Sequence, residues 1–314
     1  MGSFSPKLFI FPPPQNFKLP PCVLLSEDGK DTQSQGGRTD KAEAQLHVYG
    51  QLECERSNRN FVQIEADESD HWWQKSLNLK FSDLNCIVQG FMLQDTIINA
   101  AQSILKKQFP FKGGFQSTLN GQRQRKLFDT LPFDSHSIQI LHTGNYHWIC
   151  VEIAQKEVKV MDSLGESLDL NDHTLIQIAS LVKSEMTSII IQQVSTQQQL
   201  GVRDCGLFAI AYSLEICLGS RTLHQRFDQN RMRHHLIECL ENHHFTPFPK
   251  TTAHVSFSHK KTIKVDVYCI CRLPDIYDEE MIQCDSYCEW YHKKCIEVHD
   301  IGDEWACLNC DSKV

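Results

Sequence analysis

The sequence predicts an α+β domain followed by a second, much smaller module, and three observations carry that prediction. Between residues 72 and 250, short β-like apolar runs alternate with stretches whose apolar residues recur at helical spacing. The first 60 or so residues are instead rich in Pro, Ser, Gln, Gly and charge. Seven of the 14 cysteines fall in the last 46 residues. A chain of 314 residues suits two domains, and 41% apolar content with five Trp and 17 Phe supports a sizeable core.

Taken in order, residues 1–65 read as a mostly disordered leader, as in SEDGKDTQSQGGRTDKAEAQ. Trp72 and Trp73 start the folded part, a domain over 72–250. Residues 93–108 carry Ile97, Ile98, Ala101, Ile104 and Leu105 on one helical stripe, with Asp95 in the first turn. Strands are expected at 137–141, 148–153 and 158–161, a helix at 173–183 and a strand at 188–194. GLFAIAYSLEICL after Cys205 reads as a buried helix ended by Gly219, and an amphipathic helix follows at 228–241. Pro247 and Pro249 close the domain, 251–265 reads as a polar linker, and 266–314 is the small module.

No apolar run approaches the roughly 18–20 residues that span a bilayer, and Pro12, Pro13 and Pro14 interrupt the only apolar stretch near the start. The expectation is a soluble, intracellular chain with no membrane partner. Reduced cysteines there serve metals or catalysis rather than disulfides. Residues 265–314 hold 12 acids against 4 bases, which accounts for the whole net charge of −8. An acidic module attracts a basic partner and repels phosphates, so direct nucleic-acid binding is disfavoured.

Three segments of the larger domain assemble a nucleophile set. Asn145-Tyr146-His147-Trp148 opens one β-like run, and Val158-Lys159-Val160-Met161-Asp162-Ser163 ends another in a carboxylate. Gln199-Leu200-Gly201-Val202-Arg203-Asp204-Cys205-Gly206 leads into the apolar helix. A cysteine at a helix start meets the positive end of the helix dipole, which favours its thiolate. A His can serve it as base, a carboxylate can orient that His, and Gln199 can donate to an oxyanion together with the Cys205 backbone N–H. His142, Cys217 and Cys239 read as structural.

These segments resemble the Ulp/sentrin-specific cysteine proteases that process SUMO. His147-Trp148, Asp162, Gln199 and Asp204-Cys205-Gly206 stand in the family's order and spacing, and Leu93-Gln94-Asp95-Thr96-Ile97-Ile98 resembles the segment that opens its first helix. The resemblance implies a papain-like/adenain-like fold with His147, Asp162, Gln199 and Cys205 as catalytic residues. It also implies a tunnel for a Gly-Gly tail, walled by Trp148 and by residue 92. The family usually has tryptophan at the second position; Met92 stands here, a softer wall.

The closing residues run C-x-C-x12-C-x3-C-x3-H-x2-C-x11-C-x2-C: Cys269, Cys271, Cys284, Cys288, His292, Cys295, Cys307 and Cys310. Eight such ligands make two tetrahedral zinc sites. The order resembles the PHD finger, with a RING-type ligase module as the rival. The PHD resemblance implies a cross-brace, with Cys269, Cys271, His292 and Cys295 on one zinc and Cys284, Cys288, Cys307 and Cys310 on the other. Cys284 and Cys288 stand one residue further apart than the usual C-x2-C. Tyr268, Tyr277, Met281 and Trp290 match positions of a cage for methylated lysine, in which aromatic faces attract a quaternary ammonium.

The combined expectation is a cysteine isopeptidase cleaving after the Gly-Gly tail of SUMO or another ubiquitin-like modifier. Its PHD finger would bind a histone tail, and its location would be the nucleus or otherwise the cytoplasm. The pairing also resembles proteins encoded by DNA transposons. Two alternatives stay open: a non-catalytic modifier-binding adaptor on chromatin, and a protease for a protein that is not a modifier.

Overall fold

Alternation along β5 (Trp148–Ala154) sets the plan of the larger part. Trp148 and Cys150 join one apolar cluster, while Ile149, Val151 and Ile153 join another. Successive side chains on a strand point to opposite faces, so a strand apolar on both faces needs cover on both. The computed structural model describes residues 71–310 except 121–126, 133–134, 166–169, 183–185, 220–224, 255–260, 276–278, 297–304 and 308–309. The expected leader at 1–65 lies outside the described residues. All described residues belong to one compact unit, Ile64–Val314.

Among the described residues, β1 (Trp72–Gln74) pairs antiparallel with β2 (Leu79–Lys80), and six further strands form the central mixed sheet. β3 (Gly113–Gly114) runs parallel to β4 (Ser137–His142), which pairs antiparallel with β5. β6 (Glu157–Met161) pairs antiparallel with β5 and parallel with β7 (Ser188–Val194). A parallel neighbour needs a crossover, which α3 (Asp172–Val182) supplies. β10 (Lys261–Asp266) closes the order β10-β7-β6-β5-β4-β3.

One face of the sheet is covered by α1 (Phe81–Val88), α2 (Asp95–Gln108), α4 (Cys205–Cys217) and α5 (Gln229–Glu241). All 13 residues of α4 are buried, as a mostly apolar helix requires, and its buried Glu215 pairs with Lys250 at 2.7 Å. Gly219, at φ +66, follows its C-cap in the left-handed conformation that suits glycine. α3 covers the opposite face through Ile178, Leu181 and Val182. Among the described residues, no helix is long and apolar enough to cross a membrane.

The described parts of the segment expected as a linker, on either side of 255–260, are strands. β9 (Lys250–His254) pairs with β8 (Gln225–Phe227), and β10 pairs with β7 over six residue pairs. Only two of the six β10 residues, Ile263 and Val265, are strongly apolar. They alternate and pack on the α3-side cluster, which is enough for an edge strand with one wet face. The small module continues directly from β10. Val267 and Leu273 are buried in the same cluster, and the Val267 N–H donates to Thr187 O at 2.9 Å. Its own centre is the ribbon β11 (Met281–Gln283) and β12 (Trp290–His292), with Tyr291 against Trp305 at 5.3 Å.

Candidate active site and candidate metal centres

Four elements converge at the amino end of α4. β5 begins one residue after His147, and β6 ends one residue before Asp162; the pairing of these neighbouring strands brings the two side chains together. His147 Nε2 lies 2.8 Å from Asp162 Oδ1. The other ring nitrogen, Nδ1, is buried without a hydrogen-bond partner, and Cys205 acts on the ring alongside Asp162. Burial disfavours charge on the ring, but the hydrogen bond to Asp162 and the influence of Cys205 outweigh it and push His147 up to about 9. Burial likewise opposes the Asp162 carboxylate. The His147 hydrogen bond and charge, with the Leu164 and Gly165 N–H groups, still hold it below the usual carboxylate range.

Gln199 is held from two sides. Its Oε1 accepts from Ser163 Oγ at 2.7 Å and its Nε2 donates to Gly201 O at 2.9 Å, while its backbone N–H donates to Ser163 O. An amide carries two N–H bonds, so a second donor remains for a reacting oxygen. The Gly201 carbonyl, which can only accept, fixes which end of the amide is the donor, and the hydroxyl of Ser163 supports that orientation. Ser163 had no assigned role in the sequence, although it directly follows Asp162.

Cys205 is the first residue of α4 and is buried. Gly206 behind it allows a close approach: a Cβ there would sit 3.1 Å from side-chain atoms of Leu93, Ile98 and Trp148. Trp148 is buried, donates its indole N–H to Leu93 O at 2.9 Å and stands edge-on to His142 at 4.7 Å. Met92, next to Leu93, is exposed beside exposed Phe91. The expected tunnel residues are therefore neighbours, with the tryptophan beneath and the methionine at the surface.

Two groups of thiols and imidazole lie in the small module. Cys269, Cys271, His292 and Cys295 place their ligand atoms within 4.8 Å of one another. Cys271 Sγ lies 3.3 Å from His292 Nδ1. Cys284, Cys307 and Cys310 form the second group, with Cys310 Sγ 3.9 Å from that of Cys284 and 3.7 Å from that of Cys307. Zinc–sulfur bonds of about 2.3 Å in a tetrahedron put sulfurs about 3.8 Å apart, so these spacings fit zinc; a disulfide at about 2.05 Å does not.

Cys288 departs from the expectation. It is exposed and outside the second group. With three residues after Cys284 instead of two, the Cys288 N–H closes on Cys284 O at 2.8 Å and the chain passes through φ +57, which leaves the thiol outside the cluster. Of the cage candidates, Tyr268, Met281 and Trp290 are half-buried around the β11–β12 ribbon, and the Cys269 N–H on Trp290 O ties two of them together. Tyr277 lies outside the described residues.

No family model matches the chain. Among solved structures, SUMO protease Ulp1 with its catalytic cysteine oxidized to a sulfinic acid is 18% identical, covering 54% of this chain and 86% of that one at a TM-score of 0.43. The C-terminal Ulp1 protease domain in complex with Smt3, the yeast ortholog of SUMO, is 16% identical, covering 57% and 96% at a TM-score of 0.39. Among curated proteins, lysine-specific demethylase phf2 of Danio rerio is 44% identical over 52 residues, 15% of this chain. COMPASS component SPP1 of Saccharomyces cerevisiae is 40% identical over 65 residues, 19% of this chain. The chain spans only 5% and 18% of the length of these two relatives. The solved structures similar to this chain are thus SUMO protease domains, and the segments shared with the curated proteins are 52 and 65 residues long.

Proposed function

We propose that the chain is a cysteine isopeptidase that cleaves after the Gly-Gly tail of SUMO or a related modifier. The observation that carries this reading is the His147–Asp162 hydrogen bond of 2.8 Å beside Cys205 at the helix start. With its ring pushed up to about 9, His147 holds a proton at neutral pH and can pair with a thiolate formed at Cys205. The thiolate attacks the tail carbonyl, and Gln199 Nε2 and the Cys205 N–H receive the developing oxyanion. The C–N bond breaks, and the leaving lysine amine takes its proton from His147. Water then attacks the thioester, giving a proton to His147; the C–S bond breaks and the carboxylate leaves. Trp148 and Met92 admit glycines because these carry no side chain.

The finger is proposed to hold two structural zinc ions, which fold it. Cys288 turns inward to complete the second site. The finger would present Tyr268, Tyr277, Met281 and Trp290 to a methylated lysine of a basic, histone-like tail in the nucleus, and its net negative charge suits that partner.

Electrophilic probes built on SUMO, ubiquitin and NEDD-type modifiers test the reading. Labelling by one probe, lost in Cys205→Ala, is expected. A folded chain that no probe labels would instead favour the non-catalytic adaptor or a protease for another class of substrate. A peptide array comparing methylation states tests the finger; equal binding of methylated and unmethylated tails would remove the cage.

A further inference from the structure

We infer that Arg233 and Gln229 hold the Asp204 carboxylate away from the amino end of α4, keeping that end open for the Cys205 thiolate and the oxyanion. This positioning role rests on the reading of Cys205 as the nucleophile.

Aspartate is among the residues that cap helices best, because its carboxylate accepts from the N–H groups of the first turn. Asp204 is the N-cap of α4, yet its side chain makes no capping bond. Its backbone, at φ −102 and ψ 9, is outside the extended region that a capping residue normally adopts. The carboxylate is engaged from the other side. Arg233 donates to Oδ1 from Nε at 3.0 Å and also from Nη2, and Gln229 donates to Oδ2 from Nε2 at 2.5 Å. Both side chains of the Arg233–Asp204 pair are largely shielded from water, which strengthens their hold.

The same two residues of α5 grip the loop before the nucleophile. Gln229 Oε1 accepts from the Leu200 N–H at 2.8 Å, and Gln229 Nε2 donates to Leu200 O at 2.9 Å. Arg233 Nη2 donates to Arg203 O at 3.4 Å, and Nη1 reaches back to Ile87 O at 3.2 Å. Ile87 lies on α1, just before the segment that carries Phe91 and Met92. One guanidinium therefore ties the nucleophile loop to the segment leading to the surface wall.

The consequence is electrostatic. A helix start favours a thiolate through its free N–H groups and dipole. A carboxylate seated on those groups would consume the donors and place a second negative charge beside Cys205. Without the clamp, the 200–204 loop can relax to the ordinary capping geometry and Asp204 can turn in. Asp204 then becomes an inhibitor of the thiol next to it.

The test is the rate at which iodoacetamide alkylates Cys205 in the zinc-loaded full chain at pH 7, localised by mass spectrometry. Arg233→Met is expected to slow that rate at least about fivefold. Adding Asp204→Asn to Arg233→Met is expected to restore it to within about twofold of wild type, because the interfering charge is gone. In a purely structural role, losing Arg233 would leave the pH dependence of the rate where it is in wild type, whereas a carboxylate turned in beside the thiol moves it to higher pH. Wild-type rates in folded Arg233→Met, or no rescue in the double variant, overturn the inference. If Arg233→Met does not fold, Gln229→Leu, alone and with Asp204→Asn, is read by the same two criteria. Wild-type Cys205 reacting no faster than buried Cys150 or Cys239 would instead remove the nucleophile reading, and the clamp with it.

Discussion

His147 and Asp162 illustrate how two residues, 15 apart in sequence, acquire chemistry from position alone. Each is partly buried, which by itself would disfavour charge on both, and each offsets that cost in the other. The pair therefore links protonation to stability. His147 moves from 6.5 to about 9, so its contribution is full below about pH 6.5 and is lost as pH rises through about 9. Asp162 is shifted the other way; its contribution is present above 3.8 and is lost as pH falls through its depressed value. Asp162→Asn should lower the urea-unfolding free energy at pH 6 by on the order of 2–3 kcal/mol, with much less effect at pH 9.5. Equal losses at both pH values would show that the His147 proton does not contribute. The histidine, carboxylate and cysteine were legible in the sequence because each stands at the end of a strand or the start of a helix. Ser163, Gln229 and Arg233 were not, because a hydrogen bond formed across the fold leaves no local spacing to read.

At the scale of elements, α4 has two duties that constrain its first turn differently. Its body is mostly apolar and fills the space between the sheet and the other helices. Its first turn must bring Cys205 close to His147, and Gly206 makes that approach possible. Gly206→Ala gains helix propensity of at most about 1 kcal/mol. Against this, the new methyl group meets Leu93, Ile98 and Trp148 at 3.1 Å, all buried and unable to yield freely. Overpacking of this kind costs about 1–3 kcal/mol, so the substitution should destabilise the chain on balance and push Cys205 off its partner. The check is the melting temperature together with the Cys205 alkylation rate; an unchanged or raised melting temperature would show that the three neighbours relax. The helices at 95–108, 205–217 and 229–241 were visible from their apolar pattern. β10 was not, since two apolar residues in six satisfy an edge strand but give little signal above a polar linker.

At the scale of the molecule, the small Cys/His module is built onto the central sheet rather than tethered to it. β10 extends the sheet, Val267 and Leu273 enter its lower core, and Cys271 of the first ligand group packs against the same cluster. Removing metal with a chelator should therefore lower the temperature at which the sheet itself melts, read by far-ultraviolet circular dichroism. A sheet transition that stays in place would show the two parts to be independent. Sequence alone determined the fold class and the Cys/His clusters and put forward the proposed nucleophile set, because strand alternation, helical stripes and Cys/His spacing are local patterns written in neighbouring residues. The tertiary structure decided which side chains orient Gln199 and Asp204, that Cys288 stands apart from its group, and that the described ends of the expected linker pair as strands. Those outcomes depend on pairing and packing between segments far apart in the chain, where the free energy lies in contacts that no local pattern records.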